Sequence, residues 1–457
     1  MSTFDTIRIG QTGLRAASTA LDVVGHNVAN ASTEGYHART LGTSAAAPVT
    51  EAGCWLGMGT EVSEIRRAAD DLLSTRLVDA QGEGALQASL YDTLSVVETM
   101  FSETDEAGLS TRLSEFFDSL ETASLDPSDS SLRRGVLSAA GSLASAVSDT
   151  WSFLESTAEG TRSELSGSLE DINAALEEIA SLQAAIESDA GTIGQGDLLD
   201  RRDALVSELA SSLGVSVSYG EGNELTLFLG GHALVNDGAA RTLSYGTDAD
   251  GDPVISLSTG GSSYDVTSSV GGAMGGLLQA HDTVSSLQDD LDEFAATFAD
   301  AFNTQHAAGY DTDGAAGGDF FSYSASGAAA SFAVDASLAA DPNLMALAAA
   351  PTASAGDGGN LSALIDLQDA TLFSSGTAET FISGIYSEIG QQTASASTAS
   401  EGAAATIEDL GALYDSMTGV DLDAQAVELI QWQAAYQAAA RVISAGDAML
   451  DELMGLV

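Results

Sequence analysis

The chain has 457 residues, of which 67 are acidic and 14 basic, and its formal net charge is −53. All of the basic residues are arginine. A surface this negative repels nucleic-acid phosphates and anionic membrane headgroups, so neither partner is expected. The single cysteine, Cys54, excludes an intrachain disulfide and a cysteine-based zinc site.

The length leaves room for about two to four domains. No run of 18 or more apolar residues is present, so no transmembrane helix is predicted. The first residues carry Asp5 and lack a basic start and an apolar core, which is not the pattern of a cleavable signal peptide.

The first predicted element is a helix with one narrow apolar stripe. Its apolar or small residues recur every three or four positions, as helical periodicity requires. The stripe consists of Phe4, Ile7, Leu14, Ala17, Leu21, Val24, Val28 and Ala31.

The predicted secondary structure changes three times in the middle of the chain. The helical period continues from about residue 61 to 213, with breaks at Asp126-Pro127 and at residues 191–196. From Gly214 apolar and polar residues alternate between turn sequences, which predicts a small antiparallel β region. Helix returns at residues 275–302, and a Gly/Ala/Ser-rich stretch with short strand-like pieces follows to about residue 359.

The C-terminal part is again helical from Leu361, and its end carries a second apolar stripe. That stripe consists of Val427, Ile430, Ala434, Ala438, Val442, Ala445, Met449, Leu453 and Leu456. Two such stripes at opposite ends of the chain favour pairing with each other or with other subunits. We expect antiparallel pairing of residues 4–31 with residues 427–456. Because many positions are alanine, little area is buried, so the ends are expected to be loosely ordered alone and to become ordered on assembly.

These patterns predict a mainly α fold with a nested small β domain (α+β). Long N- and C-terminal helices form a coiled-coil-like pair, and the domains are discontinuous. A terminal helical assembly domain takes residues 1–60 and 401–457. A helical rod domain takes residues 61–213, 271–307 and 360–400. The β domain takes residues 214–270, and an irregular segment takes residues 308–359.

Both ends of the chain resemble the signatures of bacterial flagellar axial proteins. The N-terminal match rests on Asn27, Ala29, Asn30, Thr33, Gly35 and Tyr36, and the C-terminal match on Val420, Asp421, Leu422, Tyr436, Ala440 and Leu450. Three internal segments, residues 197–217, 227–238 and 275–321, are similar to the hook–filament junction family, hook-associated protein 1. Thr12, His281 and a short middle region depart from that family's pattern.

The resemblance implies a structural protein without catalysis, cofactor or metal. It would be exported unfolded through the flagellar type III apparatus, without a cleavable signal peptide, and would form a ring between hook and filament. The implied partners are further copies of the chain, the hook protein, the second junction protein and an export chaperone on the C-terminal helix. The alternatives are another axial protein, such as the second junction protein or the hook protein, and a secreted acidic adhesin or surface-layer protein.

The predicted subunit contacts lie in the two end segments. They are Leu14, Leu21, Asn27, Asn30, Gly35, Tyr36, Val427, Ile430, Tyr436, Met449 and Leu453. For the four residues from Asn27 to Tyr36, local turn chemistry is a second interpretation, and both can hold. Some of the six arginines before residue 80 are expected at subunit contacts, paired with carboxylates, and a solvated face is the alternative.

The sequence offers only weak candidates for a catalytic or metal-binding site. Asp248, Asp250 and Asp252, like Asp311 and Asp313, begin as calcium loops do, but neither sequence has Gly at the sixth position and Glu at the twelfth. Both are interpreted as turns. Residues 191–196 are interpreted as a linker, Cys54 as a small buried residue, and His306 as a cap for helix carbonyls. His232 and His281 carry no predicted role.

Overall fold

The computed structural model describes residues 3–51, 54–101, 108–188, 194–352 and 356–455. The helices of this part are α1 (Thr3–Asn30), α2 (Asp71–Met100), α3 (Leu109–Ser124), α4 (Ser130–Ser188), α5 (Gln195–Leu213), α6 (Gly272–Ala307), α7 (Ala336–Ala340), α8 (Gly359–Ile365), α9 (Ala378–Thr418) and α10 (Leu422–Gly455). Over the same described ranges, none of the helices combines the length and apolarity that a membrane crossing requires.

The strands are short. They are β1 (Arg39–Ala45), β2 (Val49–Glu51), β3 (Cys54–Leu56), β4 (Thr60–Arg67), β5 (Ser216–Tyr219), β6 (Leu225–Leu229), β7 (His232–Asn236), β8 (Ala239–Ala240), β9 (Thr242–Thr247), β10 (Pro253–Thr259), β11 (Ser262–Asp265), β12 (Phe321–Ser322) and β13 (Ala333–Val334). The predicted fold class, mainly α with a small β part, is confirmed.

The chain divides into two compact units. Unit 1 consists of residues 1–85, 168–272 and 402–457, and unit 2 of residues 86–167 and 273–401. Both chain ends therefore belong to unit 1. The finer division into four domains given above stays a prediction.

In its described part, unit 1 contains α1, α10, α5 and four antiparallel sheets. β1 pairs with β4 and β2 with β3, while β5–β8 form a four-stranded sheet and β9–β11 a three-stranded one. The switch from helix to strand lies where the sequence predicts it. Gly214 follows α5 at φ +70°, and its N–H donates to the carbonyl of Ala210. A side chain there would meet Gly271 at 2.5 Å, so only glycine fits.

Strands β1 and β4 correct the prediction of helix from residue 61. Residues 39–67 show no clean alternation, because most of the hairpin is exposed and a bulge lies between Gly42 and Thr43. The hairpin packs against α1 along part of its length. A period-2 pattern requires one consistently buried face, and this hairpin does not provide it.

Unit 2 has an aromatic core. Twelve of the fourteen phenylalanines, all except Phe4 and Phe228, lie in unit 2. Rings from α3, α6 and the segment after α6 pack together, with centroids 4.8 Å apart for Phe302 and Phe320 and 5.3 Å apart for Phe116 and Phe302. The predicted break at Asp126-Pro127 is confirmed, since α3 ends at Ser124 and the Asp129 carboxylate caps α4 at Ser131 N, 2.6 Å away.

Candidate assembly site

Helices α1 and α10 pair antiparallel, as expected: Ile7 lies beside Gly446, and Asn27 is bonded to Gln425. Glycines of both helices permit their close approach near the N-terminus of α1. A Cβ on Gly10 would lie 2.7 Å from Ile443 Cγ1, and one on Gly446 would lie 2.6 Å from Ile7 Cγ1. Gly13 faces Ala439 in the same register. The contact therefore depends on small residues that let the two backbones come together.

The predicted stripe of α10 does not form this contact. Its large members are exposed, with 55% of Val427, 66% of Ile430, 39% of Val442 and 44% of Met449 accessible. Since the face toward α1 carries Ala439, Ile443 and Gly446, the stripe lies on the opposite side of the helix. We call the exposed residues Val427, Ile430, Ala434, Ala438, Val442, Ala445 and Met449 the outer stripe. Of the two alternatives left open by the sequence, the outer stripe fits contact with another subunit.

The other predicted contacts on the terminal helices lie in varied surroundings. Leu14 and Leu21 are half-buried on α1. Tyr436 is exposed but lies about half a turn away from the outer stripe. The side chain of Leu453 and the whole of Leu456 lie outside the described residues, as does the side chain of Cys54.

The buried side of α1 is covered by the β1–β4 hairpin as well as by α10. Thr60 N donates to Thr12 Oγ1 at 3.3 Å, and a side chain at Gly59 would clash with that same threonine. The residues enclosed there are small or β-branched: Ala16, Ala17, Ala20, Val23 and Val24. Helix α1 is thus packed on two sides, and the side chains that it buries there are small.

Asn27 joins four parts of unit 1. Its amide nitrogen donates to the carbonyl of Arg39 at 2.8 Å and to Gln425 Oε1 at 3.0 Å. Its amide oxygen accepts from Arg39 N and from the Tyr36 hydroxyl, each at 3.0 Å. Because a short amide offers two donors and one oxygen with two lone pairs, the side chain is fully used. Asn27 fixes α1, the following turn, β1 and α10 to one another.

Asn30, Gly35 and Tyr36 serve the turn after α1. The Asn30 amide donates to the carbonyl of His26 at 3.0 Å, and Thr33 N donates to the Asn30 carbonyl at 2.9 Å. Gly35 has φ +73° with open space around it, so its requirement is conformational. The guanidinium of Arg39 lies 5.0 Å from the Tyr36 ring centroid. The structure shows these local roles, and contact of this turn with a neighbouring subunit stays a prediction.

A buried charge network ties β1 and β4 to α5. Asp200 receives Arg67 Nη1 at 3.0 Å on one oxygen and Arg39 Nη2 at 3.3 Å on the other. His37 Nδ1 lies 2.7 Å from Asp200 Oδ1. The Arg67 guanidinium also binds Asp203, which in turn accepts from Arg202 Nη2 at 3.0 Å. The network lies inside the subunit, so for Arg39 and Arg67 neither predicted alternative, a subunit contact or a solvated face, is correct.

The ionisation of these groups follows from burial and pairing. Burial opposes the charge on Asp200, but the hydrogen bond from His37 and the charge of Arg67 outweigh it and lower its pKa. Burial also opposes the charge on Arg67, and Asp203 and Asp200 reverse that effect and raise its pKa. Burial raises the pKa of Tyr414, which packs edge-on to His37, to about 12.

The sequence analysis missed the carboxylates of this network, although a signal was present. Asp197, Asp200 and Asp203 recur every three residues on α5, which places them on one side of the helix. Nothing in the sequence indicated their arginine partners more than 130 positions away. Gln425, the α10 partner of Asn27, carried no signal either.

The predicted turns are confirmed. The Asp248 carboxylate accepts from Asp250 N at 2.9 Å, and the Asp311 carboxylate accepts from Asp313 N at 2.9 Å, as turn-forming aspartates do. Within the described ranges, no three His, Cys, Asp or Glu residues are grouped so as to hold a metal ion.

The histidines have structural surroundings. His306 does not cap α6. Its Nδ1 donates to Gly318 O at 2.7 Å, and its Nε2 accepts from Ala346 N at 2.9 Å, which makes it a buried neutral clamp. His232 stacks on Tyr264. His281 is buried beside Arg162, with His281 Nε2 3.2 Å from Arg162 Nη1.

Three families match segments of the chain. Residues 94–321 match the flagellar hook-associated protein FlgK helical domain. Residues 411–456 match the flagellar basal body rod FlgEFG protein C-terminal family, and residues 7–37 match the flagella basal body rod protein family. The two end matches therefore cover parts of α1 and α10.

Two proteins named flagellar hook-associated protein 1 resemble the chain over different lengths. Flagellar hook-associated protein 1 of Salmonella typhimurium is 31% identical over 328 residues, which are 69% of this chain and 59% of that protein. The chain thus spans about three-fifths of the length of that relative. Flagellar hook-associated protein 1 of Bacillus subtilis is 26% identical over 510 aligned positions, covering 99% of this chain and 98% of the relative.

A solved structure shows the same fold. The flagellar hook junction protein FlgK from Burkholderia pseudomallei superposes with a TM-score of 0.67. The sequences are 17% identical, and the match covers 75% of this chain and 100% of the other.

Proposed function

Because the chain belongs to the flagellar hook-associated protein 1 family, we propose that it is a structural subunit of the junction between hook and filament. In this role it adapts one tube to the next and seats the growing filament, without catalysing a reaction. The observation that carries the proposal is the outer stripe of α10, an exposed apolar face on a helix whose other side is already occupied by α1.

The outer stripe suits contact with a further helix. It alternates larger residues such as Val427 and Ile430 with alanines, so an incoming helix has both ridges and grooves to pack against. Apolar area of this kind stabilises an assembly by about 25 cal/mol per Å² when it is removed from water. While this area is exposed to water in a monomer, it contributes no such stabilisation. The face is therefore useful only when another subunit covers it.

The terminal pair suits a repeating tube for a second reason. Asn27 fixes both ends of the chain to the β1–β4 hairpin, so each subunit presents α1 and α10 in one fixed arrangement. Identical faces in identical arrangements generate a closed ring when the rotation between copies closes. We propose that Leu14, Leu21, the turn at Asn30, Gly35 and Tyr36, and the outer stripe contribute to these contacts.

The further partners proposed are the hook protein on one side and the second junction protein on the other. Export through the flagellar type III apparatus, with a chaperone on the C-terminal helix, is proposed on family resemblance.

The test is deletion of the gene, followed by electron microscopy of the cells and an assay of flagellin in the medium. Bare hooks with flagellin shed into the medium are expected, and a plasmid copy of the gene should restore filaments. Normal filaments on the deleted strain would contradict the proposal and would favour a surface adhesin instead.

A further inference from the structure

Helix α10 is acidic. Between Leu422 and Gly455 it carries one basic residue, Arg441. Its five carboxylates are Asp423, Glu428, Asp447, Asp451 and Glu452, all exposed except the half-buried Glu428. From the helical repeat, Asp423, Glu452 and Arg441 lie on the side of the outer stripe, whereas Asp447 and Asp451 lie on the far side. The face that must meet another subunit therefore carries more negative than positive charge.

The arginines of the chain are outnumbered by its carboxylates, 14 against 67. The chain contains no lysine among its 14 basic residues. Arg39, Arg133 and Arg202 are buried, and the side chain of Arg67 is 8% exposed. Arg39, Arg67 and Arg202 pair with carboxylates of their own subunit. A neighbouring copy with a net charge of −53 thus approaches as a strongly like-charged body.

Screening by salt acts on the scale of this contact. Packed helices lie about 8–10 Å apart, and the Debye length is about 10 Å at 0.1 M salt but about 3 Å at 1 M. At 0.1 M, carboxylates on facing helices still repel one another across the contact. At 1 M that repulsion is largely removed, while the apolar contact itself remains.

We propose that contact between two copies of the chain through the outer stripe of α10 requires salt well above 0.1 M, with dissolved cations supplying the positive charge that the chain lacks. The inference rests on the proposed function, because it assumes that copies lie side by side. It adds a condition on that assembly. The cations act as a diffuse atmosphere, so the effect follows ionic strength whichever monovalent cation is used.

The experiment is sedimentation velocity of the purified full chain between 0.05 and 3 M sodium chloride, over the range in which far-UV circular dichroism is constant. The association constant is expected to rise at least about tenfold between 0.1 and 1 M. Sodium sulfate at equal ionic strength should give the same curve, which separates screening from salting-out. Ile430→Asp with Ala434→Asp should stay monomeric throughout.

A charge-neutralised variant makes the test independent of salt. Asp423→Asn, Glu428→Gln and Glu452→Gln, on or beside the outer stripe, together should shift the association midpoint to lower salt. The matched control removes three exposed charges elsewhere, by Glu221→Gln, Glu224→Gln and Asp250→Asn, and should shift it much less.

Three results would overturn the inference: equal association at 0.05 and 1 M, no association at any salt, or the same midpoint for the two neutralised variants. Each leaves the proposed function standing, because that depends on the deletion phenotype. Normal filaments on the deleted strain would remove the proposed function whatever the salt dependence.

Discussion

The terminal helix pair of unit 1 and the core of unit 2 are built from different types of residue. The α1–α10 contact is made by Gly10, Gly13, Ala439 and Gly446, which allow close approach but bury little area. Unit 2 instead encloses phenylalanine rings, each of which buries about 150–250 Å². Unit 2 thus encloses a large apolar core, whereas the terminal pair leaves apolar surface outward. The difference distinguishes a region stabilised by buried rings from the region proposed to act in assembly.

The two units also differ in how they use buried polar groups. Unit 1 pairs charges, with Asp200 between Arg39 and Arg67. Unit 2 uses side chains that bind backbone groups of its irregular segment. Arg133 Nη1 donates to Met345 O at 2.8 Å, and the Asn360 amide donates to Ala346 O at 2.6 Å. A segment with little helix or strand must satisfy its backbone in this way.

The largest expected effect tests the aromatic core. Phe302→Ala should lower the free energy of unfolding by about 3–5 kcal/mol, because Phe302 is fully buried among other rings. Denaturant unfolding followed by the fluorescence of Trp151, which packs against this core, gives the value. Val442→Ala on the outer stripe is the control and should cost less than about 1 kcal/mol. Equal costs for the two variants would contradict the contrast between the regions.

The charge network should give the next largest effect. Arg67→Ala leaves Asp200 and Asp203 without their main partner and should cost about 2–3 kcal/mol of unit 1 stability. Its neighbour Arg66, in an exposed pair with Glu64, is the matched control, and Arg66→Ala should cost less than about 0.5 kcal/mol. Hydrogen exchange of α5 amides measures both. A loss below that of the control would mean that the network is not stabilising.

Acid should act on the two units in different pH windows. Burial, opposed by the bond to Gly318, lowers the pKa of His306 below 6.5, so unit 2 loses stability as the pH falls from about 6.5 toward that lower value. The lowered pKa of Asp200 gives unit 1 a stability that is lost only below about pH 4, as Asp200 becomes protonated. The maximum slope is about 1.4 kcal/mol per pH unit for one proton. Hydrogen exchange from pH 7 to 3 should show α6 opening first, and the reverse order would contradict the assignment.

The smallest expected effects test the close contact of the terminal helices. Gly10→Ala should cost about 1–2 kcal/mol, because the added methyl group meets Ile443 at 2.7 Å. Gly25→Ala, on the same helix with open space around it, should stabilise by up to about 1 kcal/mol. Thermal unfolding of both variants checks the sign. Stabilisation by both would mean that α1 and α10 are not in close contact.

Much of the fold follows from the sequence. Helical spacing predicted the end helices and their pairing, and the alternation after Gly214 predicted the strands from β5 to β11. The strands β1–β4 were missed because an exposed hairpin has no regular pattern. Between the predicted breaks at Asp126-Pro127 and residues 191–196, α4 is a single helix of 59 residues. Asp149 and Thr150 fit inside a helix without breaking it.

The site was predicted less completely, for a physical reason. A stripe such as Val427, Ile430 and Met449 shows that a helix has an apolar face, but not which neighbour covers it. In this chain α1 takes the opposite face, where Gly446 and Ala439 give a weak hydrophobic signal. The charge network depends on residues far apart in the chain, whose meeting is decided by the fold.

The central claim is that the outer stripe of α10 is the surface through which subunits join. The most direct test expresses Ile430→Asp with Ala434→Asp in the deleted strain and measures incorporation into isolated flagella. The control, Gln433→Asp with Ser444→Asp, places the same charge on exposed positions of α10 outside the stripe. The account predicts that the stripe variant folds, by circular dichroism, but is absent from flagella, while the control is incorporated. Normal incorporation of the stripe variant would contradict it.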